Sequence, residues 1–355
     1  MIYNGYIATC AFLPPQSGKL RIFWELTREC NLRCIHCCTN SGHKVQNYGK
    51  EYFKTIIDKL GSYEVEEVFL TGGEPLIVRS IFEIITELKN YGYKVSMSTN
   101  GTLLSAKIAS ILSQIGCDGV HVSVDGATKK THDWFRGYNG AFFKAMRALD
   151  YLKNEGIQTT ISCILHKKNT NEIEEVVKIG IEKDCKTITF YPLLPIGRGR
   201  QSASLCLNPK DLSILSSKLR NLRDKYINDI QVEYIWMTDS HELGPLEDCY
   251  ASKVTVITPE GDFAACPWLY KVDKRFIFGN LLTGDIAHLH RRMVDYIDKI
   301  KKVRYSKLRL CKSCPYNQKC GRGCLMMTKL KFDNYYVNDP LCSLIRRGEI
   351  NDRVT

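Results

Sequence analysis

The strongest constraint in this chain is an alternation of two periods. Six times between residues 21 and 226, a short apolar run gives way to a segment whose apolar residues recur at helical spacing. The predicted strands are 21–27, 65–70, 94–98, 119–124, 157–165 and 187–193. Phe53, Ile56, Ile57 and Leu60 mark the first helical face, and Ile81, Ile85, Leu88 and Tyr91 the second. Leu104, Ile108, Ile111, Leu112 and Ile115 give the third, and Phe142, Met146, Leu149 and Leu152 the fourth. Ile173, Val176, Val177 and Gly180 give the fifth, and residues 211–226 the sixth. Strand and helix in strict turn lay each strand parallel to the last through right-handed crossovers, so the fold class is α/β. Periodicity does not decide whether the sheet curls into a partial barrel. In either form, functional residues belong at the C-terminal ends of the strands.

Cysteines stand at the first of those ends. Cys30, Cys34 and Cys37 follow the first strand at spacings of three and two residues. Buried thiols are common, but packing does not explain three within eight residues. Soft sulfur ligation suits zinc or an iron–sulfur cluster. Three thiolates leave one position open, and His36, inside the loop, is poorly placed to complete a tetrahedral zinc site. Sixteen cysteines without an export signal point to thiolate-bound metal in a cytoplasmic protein rather than to disulfides.

Beyond about residue 231 the strands shorten and the cysteines crowd. Gly261-Asp262 between residues 254–258 and 263–265 suggests a hairpin. Cys249, Cys266, Cys311, Cys314, Cys320, Cys324 and Cys342 follow, and few long apolar runs remain after Leu308. Metal is expected to replace a core there. The chain divides into an N-terminal extension (1–20), a strand–helix domain (21–234) and a cysteine-rich domain (235–355). The net charge of +12 is carried by mostly dispersed residues, which reads as a solvated basic face rather than a nucleic-acid site. No stretch approaches the ~20 apolar residues of a membrane span.

The motifs fall into a familiar order. Cys-x3-Cys-x2-Cys after a first strand resembles the signature of the radical S-adenosylmethionine (SAM) enzymes. That resemblance implies a 4Fe–4S cluster on Cys30, Cys34 and Cys37 whose open iron is chelated by SAM. Its reduction would cleave SAM to a 5′-deoxyadenosyl radical that takes a hydrogen from the substrate. Gly72-Gly73-Glu74-Pro75 after strand two resembles the segment that binds the methionine amino group. Ser98-Thr99-Asn100-Gly101 resembles the family's stretch after strand three, with Ser98 and Asn100 as cofactor contacts. Ser123-Val124-Asp125-Gly126, with His132, Asp133 and Arg136, resembles a subgroup pattern. There the Ser reaches the ribose and the Arg pairs with the SAM carboxylate, a geometrically specific contact. By the same analogy His36 would lie over the adenine. As plain residues, Trp24, His36 and Trp134 are expected to pack.

The C-terminal cysteines resemble the SPASM extension of that family, including Gly261 four residues before Cys266. The fold implied is a partial six-unit (β/α) radical SAM barrel followed by a small cysteine-rich SPASM domain. Two auxiliary 4Fe–4S clusters are implied, one on Cys249, Cys266 and Cys324 and one on Cys311, Cys314, Cys320 and Cys342. Members with full ligation have an eighth cysteine where this chain has Leu243. Asp239, His241 or Glu242 would substitute, or an iron would stay open to a substrate group. A further difference is that Cys266-Pro267-Trp268-Leu269 lacks the Asp of members that oxidise sulfatases. Of the remaining cysteines, Cys10, Cys38, Cys117, Cys163, Cys185 and Cys206, most are expected as buried thiols, and Cys38, adjacent to the cluster loop, is set apart as a candidate for a role there.

SPASM enzymes most often modify ribosomally made peptides or proteins by cross-link, thioether, epimerisation or oxidation, so a peptide substrate is expected. The resemblance also implies a reductant such as flavodoxin or ferredoxin. About twenty residues precede the first strand, which calls for a separate leader-binding protein or a SPASM surface for that purpose. Two alternatives compete. Trp24-Glu25-Leu26-Thr27 and Leu194-Pro195-Ile196-Gly197-Arg198-Gly199 are also similar to tetrapyrrole side-chain processing enzymes of alternative haem pathways. A non-enzymatic zinc scaffold is the other, and it leaves Gly72 to Pro75 and Arg136 unexplained.

Overall fold

Strand and helix alternate in the computed structural model as the apolar periods require. It describes residues 19–43, 48–235, 254–312, 314, 323–340 and 342. Strands β1 (Leu20–Thr27), β2 (Val65–Gly72), β3 (Lys94–Thr99), β4 (Gly119–Ser123), β5 (Thr159–Leu165) and β6 (Thr187–Pro192) pair in parallel, each with the next. A seventh, β7 (Gln231–Tyr234), extends the parallel run beyond the six predicted. On the other edge β8 (Val254–Ile257) joins β1 in parallel, and β9 (Asp262–Ala265) and β10 (Ile277–Asn280) follow antiparallel. The expected hairpin at Gly261 is the β8–β9 turn. The sheet thus runs continuously from residues on one side of position 235 to residues on the other, with β10 and β7 as its edges.

The long crossovers are α1 (Lys50–Gly61), α2 (Ile81–Asn90), α3 (Ala106–Gln114), α5 (Ala141–Asn154), α6 (Ile173–Glu182) and α7 (Pro209–Lys225). Between β4 and α5 stands a further helix that was not foreseen, α4 (Lys129–Arg136). The side chain of Thr128 caps it by accepting from Thr131 N, and Gly137 ends it at φ 65°, where a side chain is disfavoured. In the third crossover Ser105 caps the helix at Ile108 N, so Leu104 precedes it while staying buried. Beyond the sheet lie α8 (Leu269–Val272), α9 (Ile286–Lys307), α10 (Arg309–Lys312) and α11 (Leu325–Phe332). Among the described residues no helix is long and apolar enough to cross a membrane.

The two faces of the sheet differ in chemistry. Ile22, Trp24 and Leu26 of β1, Val68 and Leu70 of β2, Val95 and Met97 of β3 and Val120 and Val122 of β4 are buried on the helix-covered face. Trp24 meets Phe53 of α1 at 5.9 Å between ring centroids. The opposite face carries Arg21, Phe23 and Glu25, then Glu67 and Phe69, then Ser96 and Ser98, then His121 and Ser123. Its aromatics touch one another, Phe23 to Phe69 at 5.1 Å and Phe69 edge-on to His121 at 4.8 Å. Its charges pair, with Arg21 Nε 2.7 Å from Glu67 Oε2. A buried parallel strand usually reads apolar on both faces. Polar residues on one face mark an interior built to meet something polar.

Candidate cluster and cofactor site

The cysteine loop leaves β1 and is fastened to three neighbouring strand ends. From β2, Gly73 N donates to Thr27 O at 2.6 Å and Glu74 N to Glu29 O at 2.9 Å. Gly73 lies so close that a Cβ there would stand 2.0 Å from Glu29 O. From β3, Asn100 Nδ2 donates to Asn31 Oδ1 at 3.0 Å, and Asn31 Nδ2 to Thr102 Oγ1 at 2.7 Å. From β6, Arg198 N donates to Cys37 O at 2.9 Å, and the side chain reaches Cys34 O through Nε at 2.9 Å and Ser41 O through Nη1 at 2.5 Å. Gly197, at φ 57°, has no room for a Cβ against Cys37 O and Cys38 O. Sequence reasoning recognised the Gly197-Arg198-Gly199 stretch as part of a resemblance but not as the loop's clamp.

The sulfurs sit among donors. Leu32 N donates to Cys30 Sγ at 3.4 Å, with Asn100 Nδ2 at 3.8 Å from the same atom. Ser41 N donates to Cys37 Sγ at 3.3 Å, and Arg136 Nη1 lies 3.9 Å from Cys34 Sγ. Burial pushes the Cys30 thiol up to about 11 against the help of Leu32 N, with neighbouring Glu74, Cys34 and Cys37 adding to the rise. Cys34 is pushed up as well, by burial first, with Arg136 opposing. Thiols held this way stay protonated until a cation displaces the protons. Among the described residues no three His, Cys, Asp or Glu side chains converge on a single-ion position. Three sulfurs on one loop, each within reach of an N–H, suit a larger, negatively charged group such as a 4Fe–4S cluster.

Glu74 is buried and fully used. Its Oε1 accepts from Thr99 Oγ1 at 2.8 Å and from Leu76 N at 3.2 Å, and its Oε2 accepts from Asn100 N at 2.8 Å. The carboxylate therefore splices the β2 turn to the β3 turn. Ser98 and Ser123 stand half-buried near the ends of β3 and β4, on the polar face. Arg136 pairs through Nε with Asp125 Oδ2 at 2.6 Å, and Asp125 Oδ1 accepts from Ile164 N at 2.8 Å. Against the cost of burial, Asp125 holds the guanidinium charged. His36 stacks on Phe135 at 4.0 Å, and burial drives its pKa well below the usual value, so it is a neutral imidazole. The resemblance gave these residues to SAM. The structure brings them to one end of the sheet and gives Glu74 and Arg136 protein partners as well.

Breaking the Asp125–Arg136 pair has a defined cost. Removing one partner of a buried ion pair strands the other, at about 3–5 kcal/mol. Asp125→Asn is expected to lower the chemical-denaturation midpoint accordingly, and an unchanged midpoint would show that the pair is not a support. Arg198→Ala removes three side-chain hydrogen bonds from the loop and its neighbour Asn40, roughly 2–3 kcal/mol. The expected result is iron lost to a chelator at least about tenfold faster from the reconstituted protein. Iron release at the parent rate would contradict the clamp.

Of the C-terminal cysteines, Cys249 and Cys320 lie outside the described residues, as do Leu243, Asp239, His241 and Glu242. Cys266, Cys311, Cys314, Cys324 and Cys342 are partly exposed. Cys266 adopts φ 56°, a turn-like conformation directly after β9. Asp339, buried, accepts from Cys324 N through its carboxylate and from Cys342 N through its carbonyl. Gly323 packs against that carboxylate, where a Cβ would come within 2.3 Å of Asp339 Cβ. On the expectation that the C-terminal cysteines hold auxiliary clusters, Asp339→Ala would lower their iron and leave any cluster on Cys30, Cys34 and Cys37 in place, as Mössbauer and iron analysis would resolve. Cys117, Cys163 and Cys185 are buried as foreseen, Cys38 and Cys206 only partly, and Cys10 is outside the described residues.

A second link to the cysteine-rich part starts from β1. Glu25, buried, accepts from Tyr270 OH at 2.7 Å and pairs with Lys271 Nζ, which also donates to Pro267 O at 2.6 Å. Pro267 directly follows Cys266. Arg28 and Glu260 add a bidentate pair at 2.9 Å for both bonds. A carboxylate inside an apolar strand, as in Trp24-Glu25-Leu26, was the available sequence signal for this link.

Comparison with known proteins agrees with this geometry. Residues 24–179 match the model of the Radical SAM superfamily. The Fe-coproporphyrin III synthase of Methanosarcina barkeri is 25% identical over 92% of this chain and 88% of its own length. Mycofactocin maturase MftC of Mycolicibacterium smegmatis is 28% identical over 90% of this chain and 81% of its own. The structure of Streptococcus suis SuiB bound to precursor peptide SuiA has the same fold, with a TM-score of 0.73 over 90% of this chain and 75% of that one at 17% identity.

Proposed function

We propose that this chain is a radical SAM enzyme, which its match to the Radical SAM superfamily over residues 24–179 supports, and that it modifies a ribosomally synthesised peptide. The residues fit the cofactors: Cys30, Cys34 and Cys37 would hold the SAM-binding 4Fe–4S cluster. The Gly72–Pro75 turn, Ser98, Asn100, Ser123, Arg136 and His36 surround the place for SAM. When bound and reduced, the pair supplies a 5′-deoxyadenosyl radical for hydrogen abstraction. The protein's part is to orient the cofactor, keep water out and present the substrate on the polar face of the sheet.

The observation that carries the peptide reading is the state of the cations at the strand ends. Arg28 is spent on Glu260, Arg198 on loop carbonyls and Lys271 on Glu25. A tetrapyrrole bearing several propionates calls for cations without internal partners, and these three do not supply them. Peptide backbone and side chains instead match an interior of hydroxyls, His121 and aromatic rings. The SuiB structure with its precursor peptide, and the mycofactocin maturase, support the same substrate class for this chain.

We also propose the two auxiliary 4Fe–4S clusters on the SPASM cysteines, in a domain spanning 235–355. They would accept the electron left on the substrate after hydrogen loss. The similarity to Fe-coproporphyrin III synthase over most of both chains keeps tetrapyrrole processing as a second reading. The test is anaerobic incubation with SAM, dithionite and either the peptide encoded beside the gene or Fe-coproporphyrin III, followed by mass spectrometry. A mass change in the peptide with 5′-deoxyadenosine formation supports the proposal. A mass change confined to the porphyrin transfers the assignment to the second reading.

A further inference from the structure

The sequence places Trp134 among packing aromatics, but it is 40% exposed, and Tyr138 and Phe143 beside it are 37% and 58% exposed. All three lie along α4, the turn after it and the first residues of α5. Each has a lysine over its ring. Lys168 Nζ is 4.4 Å from the Trp134 centroid, Lys144 Nζ 5.6 Å from Tyr138, and Lys129 Nζ 5.8 Å from Phe143. Such pairs hold cations over apolar faces without neutralising them.

The oxygens of the nearby acids are turned to backbone and hydroxyl donors and not to these lysines. Both Asp133 oxygens accept from the backbone, Oδ2 from Gly140 N at 2.6 Å and Oδ1 from Phe142 N at 2.8 Å. Glu172 Oε2 accepts from Ala127 N at 2.7 Å, and its other oxygen accepts from Thr131. The surface left to solvent is aromatic and cationic. Exposed aromatic side chains rimmed by charge are the composition of a protein-docking patch.

Its position decides the partner. The end of α4 lies directly on the outside of the cysteine loop. Ile35 N donates to Phe135 O at 3.2 Å, and a Cβ on Gly137 would stand 3.1 Å from Arg33 O. Trp134 and Phe135 are adjacent in sequence, with rings 6.0 Å apart, and the Phe135 ring stacks on His36 within the loop. A carrier seated on this patch would face the cysteine loop across the rings of Phe135 and His36.

We propose that the Trp134–Tyr138–Phe143 surface with Lys129, Lys144 and Lys168 is the docking site of an acidic one-electron carrier protein. The proposal rests on the reading that Cys30, Cys34 and Cys37 hold a redox cluster. In each encounter the carrier is oxidised by one electron and that cluster is reduced by one. Complementary charge steers the encounter and makes it salt-dependent.

The test uses the full reconstituted chain and a purified acidic flavodoxin. Binding is measured by calorimetry at low and high salt for the parent protein, for K129E/K144E/K168E and for W134A. SAM cleavage is measured in parallel with reduced flavodoxin and with dithionite. The expected result is at least tenfold weaker flavodoxin binding in the triple variant, a weaker salt dependence, and a fall in flavodoxin-driven cleavage with dithionite-driven cleavage unchanged. Parent-like flavodoxin binding in both variants overturns the site and leaves the radical SAM reading intact. A synthetic Glu-rich peptide of matched charge serves as control, and equal loss of affinity for it would mark a general anion surface and overturn the assignment. No cleavage with dithionite in the parent would instead overturn the function on which the proposal rests.

Discussion

Cys34→Ala is expected to abolish SAM cleavage outright while leaving a folded, iron-containing protein. Cys34 is buried, and its sulfur lies beside Arg136 at the base of the loop. With three clusters the parent should carry about 12 iron atoms per chain, and the variant about 8. The control is Cys163→Ala, a thiol buried in β5 outside every cluster motif, which should keep its iron and its activity. Iron analysis, electron paramagnetic resonance and 5′-deoxyadenosine quantification check this together. Parent-level cleavage by Cys34→Ala would remove the loop from the mechanism.

Gly73→Ala is the second large effect. The added methyl would stand 2.0 Å from Glu29 O and 2.6 Å from Glu29 C, both backbone atoms of the cysteine loop. Neither can swing aside as a flexible side-chain tip does, so the loop and the turn after β2 must separate. A shift of about 1 Å between positioned groups costs roughly a hundredfold in rate. Cleavage should fall by about that factor and SAM affinity should weaken, with the melting temperature much less affected. Gly92→Ala is the matching control, because nothing lies within 4 Å of a Cβ there. Gly92 sits at φ 80°, so its own cost is local backbone strain, read in stability and not in SAM binding. Normal turnover by Gly73→Ala would show that the close approach is not what orients the cofactor.

How much of this was legible in the sequence depends on range. The six strand–helix units were, because period two and period 3.6 are local signals. β7 was not, because its alternation, with Val232 and Tyr234 turned inward, lasts only four residues and is too short to stand out from a loop. The pairing of β8 with β1 joins residues more than two hundred positions apart, and no local pattern announces it. The same division runs through the site. Cys30, Cys34 and Cys37 declare themselves by spacing, and the Gly72–Pro75, Ser98–Gly101 and Ser123–Gly126 stretches by standing at strand ends. Arg198 could be quoted as part of a motif, yet its hold on the loop exists only once the segment after β6 is brought against the loop after β1 by the folding of the whole sheet. Asp339, the Glu25–Lys271 link and the Asp125–Arg136 pair belong to the same class. Each is a buried charge whose partner is chosen by tertiary packing. The exposure of Trp134 was invisible for the opposite reason, since an aromatic residue in a helix is by composition a packing residue.

Under the proposed function this chain takes a hydrogen atom from a peptide. The most direct measurement uses the adjacent-gene peptide made from deuterated amino acids, incubated anaerobically with the reconstituted protein, SAM and reductant. Mass spectrometry then reads both the 5′-deoxyadenosine and the peptide. The account predicts deuterium in the 5′-deoxyadenosine, matched by a peptide altered at one residue. Unlabelled 5′-deoxyadenosine beside an unchanged peptide would contradict it.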